Sequence, residues 1–454
     1  MTVGRIRVFR PRSLMSPDNV ARTPQSPHRG ASRHMGRPEE RPTTRASGTS
    51  GGGGVRIALY SHDTMGIGHM RRNLLVAQAL SGPPFHAATL LIAGAREASA
   101  FPLPSGVDCL TLPALHKGSD GEYSSRNLEL TLPELTALRA RTILAAVEAF
   151  EPDVLIVDKV PRGAVRELDP TLAYLYARGR TRCVLGLRDV LDEPEVVRRE
   201  WMADRHDDAI RTYYDAIWVY GDAAVYDPVV EYGFARDIAD RVRYTGYLDP
   251  RVRTTVPGAN SMEMPAIPPI GSRGLVLCEM GGGQDGARVA EAFMDAQLPD
   301  GMSGLLLTGP FMPRDVRHRL RRQAAQRSDL KVMKFLTEPG ALLGMADRVV
   351  AMGGYNTICE ILAYGKRALV IPRTRPRLEQ WIRAERLQRR GLIDVLHPDD
   401  ATPAVVGAWL QRDVPAPPEL MGRVDMQGLP RVRALLAELL ETPRGDASAG
   451  RAAS

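Results

Sequence analysis

The chain of 454 residues has no uninterrupted apolar stretch near the roughly 18 residues that a membrane span requires. Its first residues, MTVGRIRVFRPR, interleave apolar side chains with arginine and form no signal-peptide core. Cysteine is scarce: Cys109, Cys183, Cys278 and Cys359 stand far apart, with no CxxC spacing and no Cys/His metal pattern. A disulfide scaffold or a zinc ribbon is thereby excluded, and buried free thiols are expected. No Asp-x-Asp pair occurs. Bulk charge is also missing from most of the chain. The formal charge is +7, but residues 1–54 alone hold ten Arg, no Lys and three acids (Asp18, Glu39, Glu40), so residues 55–454 are neutral overall. The folded part therefore gives no electrostatic reason to bind nucleic acid. Residues 1–54 are rich in Pro, Ser and Gly and read as a disordered basic tail, or as sequence ahead of the true start. The expected location is cytoplasmic, with peripheral contact at the inner face of a membrane left open.

What is present is the composition of a globular chain, 44% hydrophobic and 25% charged, with length enough for two α/β domains. Order is expected from Val55. VRIALYSH alternates Val55, Ile57 and Leu59, and a glycine loop then leads into a helical pattern over His69–Leu80. Apolar runs at Thr89–Ala93, Asp153–Val157, Cys183–Leu187 and Ile217–Tyr220, with helices such as Leu132–Phe150 between several of them, read as βαβ units. The rhythm lapses over Pro250–Ser272 and resumes with strand Gly274–Met280, the loop GGGQDG and a helix from Ala287. Strands at Gly304–Leu307, Val349–Met352 and Ala368–Ile371, and helices at Thr357–Tyr364 and Leu429–Leu440, complete the pattern. The expected fold class is α/β: two doubly wound Rossmann-like domains facing across a cleft. The boundaries read as a tail over 1–54, a first domain over 55–250, a linker over 251–272, a second domain over 273–415, and a C-terminal helix with a frayed end over 416–454.

Three glycine loops carry the chemistry. The first, Asp63 to His69, contains Gly66 and Gly68 and places His69 at a helix start, where the helix end should keep its imidazole neutral and able to accept a proton. Asp63 could orient that ring or replace it as base. The second, Gly281, Gly282, Gly283 and Gln284, has more glycine than a plain turn needs, which suits close backbone approach to a phosphate. The third, Gly353, Gly354, Tyr355, Asn356 and Thr357, runs into another helix whose free N–H groups suit a diphosphate. Glu360, read in the first turn of that helix, could bind a ribose diol. Further on, Glu379 and Gln380 stand side by side, able to hold sugar hydroxyls. The arginines over Arg373–Arg390 and Arg314–Arg327 read as solvated faces that could also meet an anionic membrane. Asp158, Lys159 and Arg162 follow one strand at its C-terminal end, and Arg188 and Asp189 follow another; each set is either ligand-binding or structural. The polar segment His116–Asn127 could cover a ligand.

Taken in order, these residues resemble glycosyltransferase family 28. Over about Gly271 to Asp400, GGGQDG and GGYNTICEILAYGKRALVIP are similar to the nucleotide-sugar-binding domain of that family. The resemblance implies the two-domain GT-B architecture, Glu360 on the ribose, and Glu379 and Gln380 on the donor sugar. GIGH resembles the family's N-terminal loop, whose His stands near the acceptor, and HDTMGIGHMRR with GLRDVLDEP looks like a bacterial group of predicted glycosyltransferases. Arg72 stands where the family usually has Pro, and GxGHxxR is similar to nucleotide-sugar hydrolases on the same scaffold.

The reaction so implied is a metal-independent, inverting transfer of a hexose or N-acetylhexosamine from a nucleotide-diphosphate sugar to a glycan, lipid-linked or small-molecule acceptor. Uridine is implied by resemblance only. No cofactor or metal is expected, since without Asp-x-Asp the diphosphate must be met by backbone N–H groups and helix ends. His69 is the candidate base, with Gly66, Gly68, Asp158, Lys159 and Arg188 on the acceptor side. A hydrolase, a non-catalytic nucleotide-sugar-binding regulator and a sugar epimerase are the other readings.

Overall fold

The structure, a computed structural model, describes residues 54–62, 68–94, 101–118, 122–255, 273–336, 339–413 and 422–443. Asp63 and Gly66, the tail over 1–53 and most of the expected linker therefore lie outside the described residues.

The N-terminal half contributes strands β1 (Arg56–Ser61), β2 (Ala88–Ala93) and β3 (Val107–Thr111), a short antiparallel hairpin of β4 (Leu115–Lys117) and β5 (Tyr123–Ser125), and strands β6 (Val154–Asp158), β7 (Arg182–Arg188), β8 (Ala216–Tyr220) and β9 (Val242–Tyr244). All but the hairpin join one parallel sheet in the order β3-β2-β1-β6-β7-β8-β9. The C-terminal half repeats the plan with β10 (Gly274–Glu279), β11 (Met302–Leu307), β12 (Leu330–Met333), β13 (Arg348–Ala351), β14 (Arg367–Val370) and β15 (Asp394–Val395), in the parallel order β12-β11-β10-β13-β14-β15. β6 and β11 are buried at every position. Such continuous apolar runs are what a sheet covered on both faces requires.

Helices cover those faces: α1 (Gly68–Ser81), α2 (Leu132–Phe150), α3 (Asp169–Arg178), α4 (Pro194–Ala203), α5 (His206–Tyr213), α6 (Pro228–Tyr232) and α7 (Arg236–Ala239) in the first half. The second half adds α8 (Ala287–Asp295), α9 (Arg314–Ala324), α10 (Gly340–Met345), α11 (Tyr355–Ala363), α12 (Glu379–Arg389), α13 (Pro403–Gln411) and α14 (Gly428–Glu441). α2 shows why the sequence fixes such a helix. Thr131 and Glu134 form a reciprocal capping box, Pro133 occupies the first turn, and Glu151 ends the helix in the left-handed region.

The halves belong to one compact unit and share an apolar core. Leu74 and Leu75 of α1 join Tyr247 and Leu248, Tyr355 and Ile358 of α11, and Val432 and Leu436 of α14 in one buried cluster. The C-terminal helix thus returns to the first half, where Arg431 donates to the Thr245 carbonyl at 2.6 Å. Pro250–Thr255, expected within the linker, forms a 3₁₀ turn with Arg253 buried.

One expectation is corrected. Arg377, Arg383 and Arg386 are not part of a solvated face, although Arg375 and Arg389 are exposed. Arg377 pairs with Asp192 and Glu200 at 2.9 and 2.7 Å, Arg383 with Asp189 at 2.6 Å, and Arg386 with Glu231 at 2.6 Å, all across to the first half. The complementary carboxylates lie some 150 residues or more away in sequence, so local composition could not show them. On α9, by contrast, Arg319 is half exposed and pairs with Glu291 and Asp315, the pattern of a solvated face.

Candidate active site

In an open parallel sheet, ligands bind beyond the carboxyl ends of the strands where the strand order reverses. That reversal falls at β1 and β6 in one sheet and at β10 and β13 in the other. All four strand ends open onto one crevice of about 750 Å³.

From the second half, Gly281, Gly282, Gly283 and Gln284 line the crevice, as do Gly354, Asn356 and Thr357 at the start of α11. The two segments face a common space, with the first-turn N–H groups of α11 at its edge. The glycines serve different ends, however. Gly281 has φ +56°, and Gly283 has φ +85° with no room for a Cβ beside the Thr308 carbonyl, so both are required by the loop itself. Gly282 and Gly354 carry no such constraint, and a Cβ on Gly354 would meet nothing within 4 Å. Gly353 does not line the crevice. It packs behind α12, where its carbonyl accepts from Arg383 at 3.1 Å and an added Cβ would press on Gln380 and Pro372. The Asn356 amide is already engaged, donating to the Gly68 carbonyl at 3.0 Å across the halves.

From the first half, His62 follows the last residue of β1 and α1 begins with Gly68 and His69, all three lining the crevice. Asp158, expected on the acceptor side, is 1% exposed and holds His69 instead. Its Oδ2 lies 2.7 Å from His69 Nδ1, and the same carboxylate pairs with buried Arg72. With Asp158 ionised, Nδ1–H donates to it and Nε2 is left as the proton acceptor. Arg72, Tyr220 and Tyr355 stack around this pair, the guanidinium 5.8 and 5.4 Å from the two ring centroids. Burial lowers the His69 pKa to about 4, against the opposing charge and hydrogen bond of Asp158. The imidazole is therefore neutral near pH 7, through desolvation as the leading cause rather than the helix end. Asp158 itself is held well below the usual carboxylate range, because Arg72 and then His69 outweigh its burial. His62 lies 4.8 Å from His69 between ring centroids and is likewise kept neutral by burial, then by His69 and Lys159.

Beyond His69 the crevice is lined by Lys159, Arg188, Glu379 and Gln380. Glu379 is 2% exposed. Arg373 binds its Oε1 at 2.6 Å, while Oε2 has no hydrogen-bond partner among the described residues. Its burial favours the neutral acid, but Arg373, Arg188 and Lys159 overcome this and keep it ionised. Gln380 accepts from the Arg373 N–H at 3.2 Å. Lys159 sits in the left-handed region at φ +70°, its N–H bonded to the Gly186 carbonyl at 2.8 Å. Such strained non-glycine backbone gathers at functional sites. Gly118, Glu122 and Tyr123 of the β4–β5 hairpin also reach the crevice, from within the segment expected to cover a ligand.

Two acids depart from expectation. α11 starts at Tyr355, so Glu360 falls in its second turn; it is 2% exposed, pairs with Arg71 of α1 and does not line the crevice. Glu279 at the end of β10 does line it, is 5% exposed, and its Oε2 is without a hydrogen-bond partner among the described residues. Burial pushes its pKa up to about 8, helped by Glu360 and opposed by Arg71. Sequence reading missed Glu279, since an acid at the end of an apolar run looks like a strand terminus. Arg72 and Asp189 were singled out in the sequence, but their partners Asp158 and Arg383 are fixed only by tertiary packing.

Residues 305–418 match the Glycosyltransferase family 28 C-terminal domain. The second half carries that domain, and the chain as a whole has the two-domain GT-B fold. Several solved structures share the fold. The UDP-GlcNAc 2-epimerase of Neisseria meningitidis bound to UDP-GlcNAc matches with a TM-score of 0.55 and 13% identity, over 85% of this chain and 99% of that one. The glycosyltransferase VinC in complex with dTDP matches with a TM-score of 0.52 and 15% identity, over 87% and 98%. The calicheamicin glycosyltransferase CalG4 gives 0.50 and 16%, over 88% and 100%. At such identities the likeness speaks for the fold alone. No curated protein matches the chain. Among the described residues no helix is long and apolar enough to cross a membrane.

Proposed function

We propose that the chain transfers a hexose or N-acetylhexosamine from a nucleotide-diphosphate sugar, UDP by family resemblance, to an acceptor hydroxyl with inversion and without a metal ion. The carrying observation is that the β10 loop, the start of α11 and His69, held from behind by Asp158, all face one crevice. In this reading the diphosphate lies on the N–H groups from Gly354 to Thr357 and against Gly281–Gln284, where the helix end and fixed dipoles offset its charge. Glu379 Oε2 and Gln380 hold sugar hydroxyls. Glu360 can reach a ribose only if Arg71 gives way, so its role depends on a rearrangement at that pair.

His69 Nε2 takes the proton of the acceptor hydroxyl as its oxygen attacks the anomeric carbon in line. The carbon–oxygen bond to the diphosphate breaks, the nucleoside diphosphate leaves with the electron pair, and the imidazolium later returns its proton to solvent. Asp158 fixes the tautomer and stabilises the imidazolium. The chain is read as acting where nucleotide-sugars are made, in the cytoplasm, with the acceptor reaching it from solution or from a membrane face.

The test is a panel of nucleotide-sugars, scored by thermal shift and then by product analysis, with wild type and His69→Ala. The variant should keep nucleotide affinity and lose turnover by about 10²–10⁴-fold. Equal turnover would remove His69 from the mechanism. Stoichiometric free sugar with no acceptor present would favour hydrolysis, the reading that GxGHxxR supports, and a changed sugar on intact nucleotide would favour epimerisation.

A further inference from the structure

The arginines that line the crevice are paired off with carboxylates, with one exception. Arg71 pairs with Glu360, Arg72 with Asp158, Arg166 with Asp169, Arg373 with Glu379 and Asp285, and Arg377 with Asp192 and Glu200. The Arg188 side chain makes no hydrogen bond or ion pair among the described residues, and its Nε is buried without a partner. A guanidinium drawn out of water and left uncompensated costs several kcal/mol, a cost that a bound anion offsets. The position sharpens this. Arg188 ends β7, next to the end of β6 where Lys159 is held in its strained conformation, and the two strands are paired in register up to Asp158 and Gly186. Both cations line the crevice together with His69 and Glu379, and the charge of each favours the ionised form of that acid. Burial, with crowding by Arg72 and Arg383 against the pull of Glu379, lowers the Arg188 pKa to about 10. The group is still a cation at neutral pH.

We propose that Arg188, with Lys159 beside it, is the receptor for an anionic group, a carboxylate or a phosphate, carried by the sugar acceptor. The inference rests on the donor and acceptor reading of the crevice and narrows it: the acceptor is an acidic molecule whose charge lies close to the hydroxyl that reacts. The guanidinium fork accepts two oxygens of either anion in its plane, and a planar bidentate contact also orients the acceptor toward His69.

The full chain, held at saturating UDP so that the donor phosphate site is filled, is titrated with inorganic phosphate, glucuronate and glucose. Phosphate and glucuronate should bind about tenfold or more tightly than glucose, and Arg188→Gln should abolish that preference. UDP affinity of the variant should stay within about twofold, which also reports an intact fold. Arg188→Lys should restore part of the preference, as a point charge without the fork. An unchanged anion preference in Arg188→Gln would overturn the proposal. Phosphate that competes with UDP for a single site would overturn it too, by giving Arg188 to the donor. Failure of the wild-type chain to bind UDP would remove the donor reading and this proposal with it, whereas loss confined to the anion arm would remove the proposal alone.

Discussion

His69 and Glu279 stand on opposite halves of the crevice, and burial drives both to the neutral form near pH 7. For Glu279 the sign of the effect on stability can be followed. The unfolded chain releases this proton near the ordinary value of 4.5 and the folded chain near 8, so between those values folding takes up a proton and stability falls as pH rises. Glu279→Gln cannot ionise. Its stability relative to wild type should therefore rise from about pH 5 to about pH 8, read by urea unfolding at both. An offset that is the same at the two pH values would contradict the placement of this acid. The neutral imidazole of His69 was expected from its place at a helix start, but its leading cause is burial, which the sequence does not display. The partner of His69 was not legible either. Asp158 lies 89 residues away and reaches His69 only because β1 and β6 pair side by side.

At the scale of elements, the loop after β10 divides its glycines between architecture and ligand. A Cβ at Gly283 would overlap the Thr308 carbonyl at a positive φ, whereas at Gly282 it would meet only Phe311 at 3.6 Å. Gly283→Ala should thus destabilise the fold by roughly 1–3 kcal/mol in thermal unfolding, and Gly282→Ala should spare stability yet weaken nucleotide binding by placing a methyl in the crevice. Equal destabilisation by both would count against this division. Long periodic elements were read closely from sequence: α2 was expected and found at Leu132–Phe150, because its capping box and apolar spacing are local signals. β15 was not seen, since a strand of two residues carries no pattern. The start of α11 at Tyr355 moved Glu360 one turn from its expected place and turned it to Arg71, a contact that belongs to the packing of α1 on α11.

At the scale of the molecule, two similar halves were legible as repeated strand, glycine loop and helix, but what joins them was not. The arginines of α12 and the loop before it reach carboxylates of the first half, and Asp189 and Arg383 are completely buried together with Tyr247. Breaking such a pair typically costs about 3–5 kcal/mol, so these contacts fix the halves in register and hold the crevice in shape. That register is what brings the start of α11 opposite His69. The function of the crevice depends on whether the glycine loops of the second half take a diphosphate by backbone and helix end. Calorimetric titration of UDP and of uridine into the full chain, with EDTA present, measures this directly. The expected result is one UDP site, about tenfold or more tighter than uridine and unchanged by EDTA. Equal affinity for uridine, or loss of UDP binding in EDTA, would contradict it.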